Sequence, residues 1–107
     1  MVSFDEFKKI ELKIAKVLKV EEHPNADKLW VLQVDIGEEN PRTIVAGLRK
    51  DYSAQELEGK NIIVVSNLEE AVLRGVKSQG MLLAAKDKET LSILSLDREV
   101  KPGSPVS

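Results

Sequence analysis

Cysteine is missing from the 107 residues, which excludes disulfides, thiolate metal sites and a cysteine nucleophile and makes a reducing compartment the natural setting. Aromatic side chains are scarce, with two Phe, one Trp and one Tyr, too few for a platform that stacks several bases. There is a single His, so a zinc site would need three further ligands from carboxylates, an unusual set. No apolar run approaches the roughly 18 residues of a membrane span, and no membrane partner is expected. The opening Met1-Val2-Ser3-Phe4-Asp5-Glu6 lacks the basic flank and apolar stretch of a signal peptide, so the expected address is cytoplasmic. An excess of one charge is lacking too: 16 Lys+Arg face 18 Asp+Glu, a net charge of -2. The first 53 residues carry 9 basic and 10 acidic groups and the remainder 7 and 8. Nucleic-acid binding draws on counterion release at cationic surfaces. Any basic surface here therefore has to be a local patch made by folding.

What is present describes one globular domain over residues 1–107, with 42% hydrophobic and 32% charged residues. Ser3…Glu6 and Ser53…Glu56 have capping-box spacing, and each predicts a short helix. Phe4, Phe7, Ile10, Ile14, Val17 and Leu18 fit a helical stripe, whereas Leu12, Ile14, Leu18 and Val20 share one face of a strand with a bulge near Ala15. Periodicity leaves that choice open. His23-Pro24-Asn25-Ala26-Asp27 reads as a turn, with His23 as a turn or cap residue. Trp30, Leu32, Val34 and Ile36 alternate as the inner face of a strand ending at Gly37, and Thr43 to Leu48 predicts another. Ile62 to Val65 reads as a strand covered on both faces. A polar stretch from Glu69 to Gln79 precedes two more strands, Met81 to Ala85 and Leu91 to Leu96, and the tail from Lys101 to Pro105 reads as irregular. Five or six short strands suggest a small barrel or sandwich, and a bent first strand with a helix between the third and fourth strands favours an all-β, five-stranded OB-fold barrel.

Catalytic machinery is not visible. No nucleophile–base pair has a recognised spacing, no glycine-rich phosphate loop follows a strand, and the pairs Glu21-Glu22, Glu38-Glu39 and Glu69-Glu70 read as solvated charge. No catalytic residue, metal or cofactor is expected. The stretch from Arg74 to Met81 is richer: a planar guanidinium and a mobile ammonium suit phosphate, Ser78 and Gln79 offer hydrogen bonds, and Gly75 and Gly80 permit close backbone approach. The plainer reading of these residues is a glycine-containing loop with Met81 in the core.

Several motifs in order resemble the tRNA-binding OB-fold domain family, found as free-standing dimers and as an appendage of methionyl-tRNA synthetases. They are Lys13-Ile14-Ala15-Lys16-Val17, the distinctive His23-Pro24-Asn25-Ala26-Asp27-Lys28-Leu29, Val34-Asp35-Ile36-Gly37, Ile44-Val45-Ala46-Gly47-Leu48, Leu57-Glu58-Gly59-Lys60, Asn67-Leu68, and Arg74-Gly75-Val76-Lys77-Ser78-Gln79-Gly80-Met81. The resemblance implies a barrel that binds tRNA at the outer corner of its L by shape, through phosphates and 2′-hydroxyls, a mode needing few aromatics. It assigns Arg74 and Lys77 to phosphates, Ser78 and Gln79 to ribose or backbone, and Met81 to apolar contact. Lys28, Arg49, Asn67 and Lys86 follow from motif proximity and charge. It also implies a homodimer without catalytic activity, either free-standing or serving a methionyl-tRNA synthetase catalytic chain as its small subunit. The alternative is a small dimeric OB-fold chaperone for unfolded or exported polypeptides. A reader of single strands would need more aromatic rings.

Overall fold

The computed structural model describes all 107 residues. Strand accounts for 40% of them and helix for 8%. Helix α1 (Phe4–Lys8) leads into the long strand β1 (Leu12–Glu22), followed by β2 (Trp30–Asp35) and β3 (Arg42–Ala46). Helix α2 (Ala54–Leu57) precedes β4 (Asn61–Val65), after which come the pair β5 (Ala71–Leu73) and β6 (Val76–Ser78), then β7 (Met81–Leu82). A second small hairpin, β8 (Ala84–Lys86) and β9 (Leu91–Ile93), and a terminal β10 (Pro105–Val106) complete the chain. The main sheet runs β3-β2-β1-β4-β7, all antiparallel, and curls into a nearly closed five-stranded barrel. Both capping boxes form: the Ser3 and Ser53 hydroxyls accept from the Glu6 and Glu56 amides, and each Glu carboxylate reaches back to its serine's N–H.

The open choice at residues 12–20 resolves as strand, because β1 is held on both edges, by β2 and by β4. The bulge lies between Val17 and Lys19, not near Ala15. It changes the inner face from that expected: Ala15, Val17 and Val20 point into the core, while Leu18 is exposed. The small Ala15 and the bulge let one strand bend through both halves of the barrel. The alternation on β2 is as expected, with Leu32, Val34 and Ile36 buried and Trp30 packed against them. Leu57 of α2, fully buried, plugs the barrel between β3 and β4.

Three segments differ from expectation. The polar stretch 69–79 holds the β5–β6 hairpin, in which Leu73 and Val76 bracket a two-residue turn at Arg74-Gly75. The strand expected at Met81 to Ala85 divides at Leu83, whose N–H donates to Ile63 while its carbonyl accepts from Leu94. The tail is irregular over residues 101–104 as expected, but its end is not: Pro105 and Val106 pair with Lys13 and Leu12. Strand β4 is covered on both faces by its own chain, with Ser95 and Glu99 hydrogen-bonding Asn61 on the outside.

Barrel closure falls to Ser78-Gln79-Gly80. The outward edge of β3 would otherwise present free backbone groups. Instead the Thr43 N–H donates to Gln79 Oε1 at 3.0 Å, the Thr43 carbonyl accepts from the Gln79 N–H at 2.8 Å, and the Val45 N–H donates to Ser78 Oγ at 2.9 Å. Gly80 lies so close to β4 that a Cβ there would meet Val64 and the Val65 carbonyl at 3.1 Å. Arg42 braces the seam, clamping the Glu38 carboxylate at 2.7–2.8 Å and donating to the Ser66 and Gln79 carbonyls. Its guanidinium holds the Glu38 carboxyl below the usual range. Replacing Ser78 by Ala strands the buried Val45 amide, so thermal or denaturant unfolding should show a loss of about 1–3 kcal/mol; unchanged stability would refute this account of the seam.

Candidate nucleic-acid interface

One end of the barrel collects the turn 23–29, the chain after β3, and the tip of the β5–β6 hairpin. His23 joins the first and last of these. Its ring is buried to 4% exposure. Nδ1 accepts from the Asn25 N–H at 2.9 Å, so the ring proton sits on Nε2 and is donated to the Leu73 carbonyl, also at 2.9 Å. The expectation of a turn residue therefore holds, and the imidazole additionally staples the turn to the hairpin.

Arg74 occupies the hairpin tip with φ 53, followed by Gly75 with φ 92. Two positive φ values in succession form the turn that suits a tight hairpin, but for Arg that conformation is strained. Compensation comes from Asn25: its carbonyl accepts from the Arg74 guanidinium at 3.2 Å, and its amide donates to the Arg74 carbonyl at 3.5 Å. Arg74 meets no carboxylate within ion-pair distance. It lines an open groove with Asn25, Asp27 and Lys28. Beside this groove the Lys28 carbonyl accepts from the Arg49 N–H at 3.4 Å. The Arg49 guanidinium lies 4.9 Å from the Trp30 ring centroid and 3.1 Å from Glu22.

Other sequence-selected residues have different surroundings. Ser78, 3% exposed, spends its hydroxyl on Val45 and Gly80 inside the seam, so the group expected to meet ribose is occupied. The Gln79 amide is likewise engaged, with Thr43 on one side and Glu70 on the other. Asn67 fastens α1 to β1, accepting from the Glu11 N–H and donating to the Lys9 carbonyl. Lys77 is exposed and 3.6 Å from Glu70. Met81 is half exposed on β7 rather than in the core. Lys86 lines a separate groove with Lys50 and Lys88. The two latter lysines carry no local sequence signal, because the groove forms only when the β8–β9 hairpin folds back over the turn at residue 50.

A sequence profile described as a putative tRNA-binding domain matches residues 12–105. The chain belongs to that tRNA-binding domain family. It is 55% identical over 105 residues to a methionine–tRNA ligase of Pyrococcus furiosus, covering 98% of this chain but only 14% of the ligase. Among solved structures, a MetRS-related protein from Pyrococcus horikoshii superposes with a TM-score of 0.92 at 37% identity, covering 100% of this chain and 98% of that one. The chaperone CsaA from Bacillus anthracis superposes with a TM-score of 0.88 at 27% identity, over 100% and 99% of the two chains. Membership in this family agrees with the OB-fold barrel and marks the domain type as one that binds rather than catalyses.

The His23 staple has a measurable consequence. In His23→Ala, the amides of Leu73 to Val76 should exchange faster with solvent and the unfolding midpoint should fall, as about 1–3 kcal/mol of buried hydrogen bonding is lost. Unaltered protection in that hairpin would show that His23 does not hold it.

Proposed function

We propose that this tRNA-binding domain is a non-catalytic module that grips tRNA at the outer corner of its L, through backbone and shape, beside a methionyl-tRNA synthetase catalytic chain. The observation that carries this reading is Arg74: strained, exposed, unpaired, and presented over the 23–29 turn next to Lys28. A buried ring and two hydrogen bonds to Asn25 maintain that pose. Such preorganisation is what a shape-reading phosphate contact requires. Arg49 adds a second guanidinium, and Lys86 extends the cationic reach. Lys77 joins by exchanging Glu70 for phosphate, since an exposed ion pair of this kind holds its partner weakly. Met81 offers its exposed thioether for apolar contact. Gln79, Ser78 and Asn67 act indirectly, by holding the seam and the start of β1. Similarity to methionine–tRNA ligases supports the choice of partner, and tethering to such a chain would raise the effective concentration of a modest binder.

The test is a filter-binding titration with intact tRNA beside a duplex hairpin that lacks the elbow. Intact tRNA should bind at least about tenfold more tightly, and Arg74→Ala should weaken it and flatten the log–log salt slope by about one unit. Equal binding of both RNAs, or an unchanged slope in Arg74→Ala, would overturn the reading. Likeness to CsaA favours a second reading, binding of unfolded polypeptide. Displacement of bound tRNA by an unfolded polypeptide at low concentration would support it.

The module is a homodimer in this proposal. Phe4, Phe7 and Ile10 lie along α1 and its end with 72%, 41% and 48% of their surface exposed, an apolar stripe that a second copy would cover. Light scattering during size-exclusion chromatography should return twice the 11.9 kDa chain mass; a single-chain mass refutes the dimer.

A further inference from the structure

Nine of the 16 lysines and arginines are absent from all seven ion pairs, each of which lies within 4.0 Å: Lys8, Lys9, Lys60 and Lys101, and also Arg74, Lys28, Lys50, Lys86 and Lys88. Elsewhere Lys13, Lys16, Lys19, Arg42 and Lys77 are paired. The last five of the unpaired cations fall into two grooves. Arg74 and Lys28 line the first, and Lys50, Lys86 and Lys88 line the second with Asp51 and Glu89 at its wall. We propose that the second groove is a separate phosphate-gripping site, and that RNA binds along a track running from Arg74 through Lys28 and Arg49 to Lys50, Lys86 and Lys88. This rests on the tRNA reading above and extends it to Lys50 and Lys88.

The grooves are joined covalently and by hydrogen bonds. Arg49 directly precedes Lys50, and its N–H donates to the Lys28 carbonyl. Tyr52 fixes the β8–β9 hairpin over this turn. Its hydroxyl accepts from the Ile93 N–H at 3.0 Å, 41 residues away, while its carbonyl accepts from the Trp30 indole at 2.8 Å. The same Trp30 ring carries Arg49. One framework therefore sets the spacing of the cations at both grooves, which suits a stiff, folded polyanion better than a flexible chain. Asp87, between Lys86 and Lys88, is diverted from them. Its carboxylate accepts from the Glu89 and Thr90 N–H groups at 2.8 and 2.7 Å, closing the turn that spreads the two lysines. Three lysines against Asp51 and Glu89 leave the groove net positive, and ammonium groups serve as point charges for phosphates without reading sequence.

The experiment compares the unaltered protein, a K50Q/K86Q/K88Q variant and Arg74→Ala, each titrated with intact tRNA from about 50 to about 200 mM salt. A short duplex hairpin that can occupy one groove only is run in parallel. The triple variant should lose about two units of log–log slope and at least about tenfold in tRNA affinity, with hairpin binding little changed. Lys→Arg at the same positions should restore the slope. Should the triple variant unfold more easily than its parent, K86Q and K88Q singly should each remove about one unit. A parental slope in the triple variant, with Arg74→Ala still flattened, overturns this inference and leaves the proposed function standing. Failure of the unaltered protein to bind tRNA overturns both. Parental tRNA binding together with loss of binding to a polyglutamate probe would instead assign the second groove to an acidic protein.

Discussion

The outer edge of β3 is the constraint on which the rest of this structure depends. In the sheet order β3-β2-β1-β4-β7 no strand pairs with the outer edge of β3, and that edge left bare would expose the Thr43 and Val45 backbone groups. Ser78 and Gln79 close it with one hydroxyl, one side-chain amide and one backbone amide. Once this segment is fastened, the β5–β6 hairpin that precedes it must lie across the barrel end, where His23 receives the Leu73 carbonyl. The position of Arg74 is thus a consequence of barrel closure. A motif that reads as a binding loop is, in its central residues, the seam of the fold.

The same geometry separates residues whose polar groups face solvent from residues whose polar groups hold the fold together. The Ser78 hydroxyl is buried with two partners inside the protein, whereas the Arg74 guanidinium is exposed, meets no carboxylate and spends one donor on the Asn25 carbonyl. The near-neutral net charge then stops being an obstacle. Carboxylates pair with seven of the 16 cations, and five of those left unpaired line two grooves. An overall charge of -2 is compatible with a local positive track because ion pairing is decided by proximity, not by composition.

Legibility in the sequence followed range. The capping boxes at Ser3 and Ser53 and the alternation from Trp30 to Ile36 act within a few residues, and each formed as read. The His23 turn was legible for the same reason. The bulge near Leu18 was misplaced by a few residues because either register puts some apolar side chain inward; only the pairing with both β2 and β4 chooses between them. The β5–β6 hairpin was missed because its turn uses Arg where Asn or Gly is usual. Pairing of the tail with β1 spans nearly the whole chain, and nothing local announces it.

Taken alone, the amino-acid order determined a β-rich chain without a thiol and a run of motifs pointing to the tRNA-binding domain family. Those properties depend on residue type and on short spacing, which a linear reading preserves. Which polar groups remain available was settled by the tertiary structure. Glu70 came to Lys77, Glu22 to Arg49 and Val45 to Ser78, while no carboxylate came within 4.0 Å of Arg74 or of the lysines of the second groove. Hydrogen bonds and ion pairs act over a few ångströms in space, and folding alone brings distant positions within that reach.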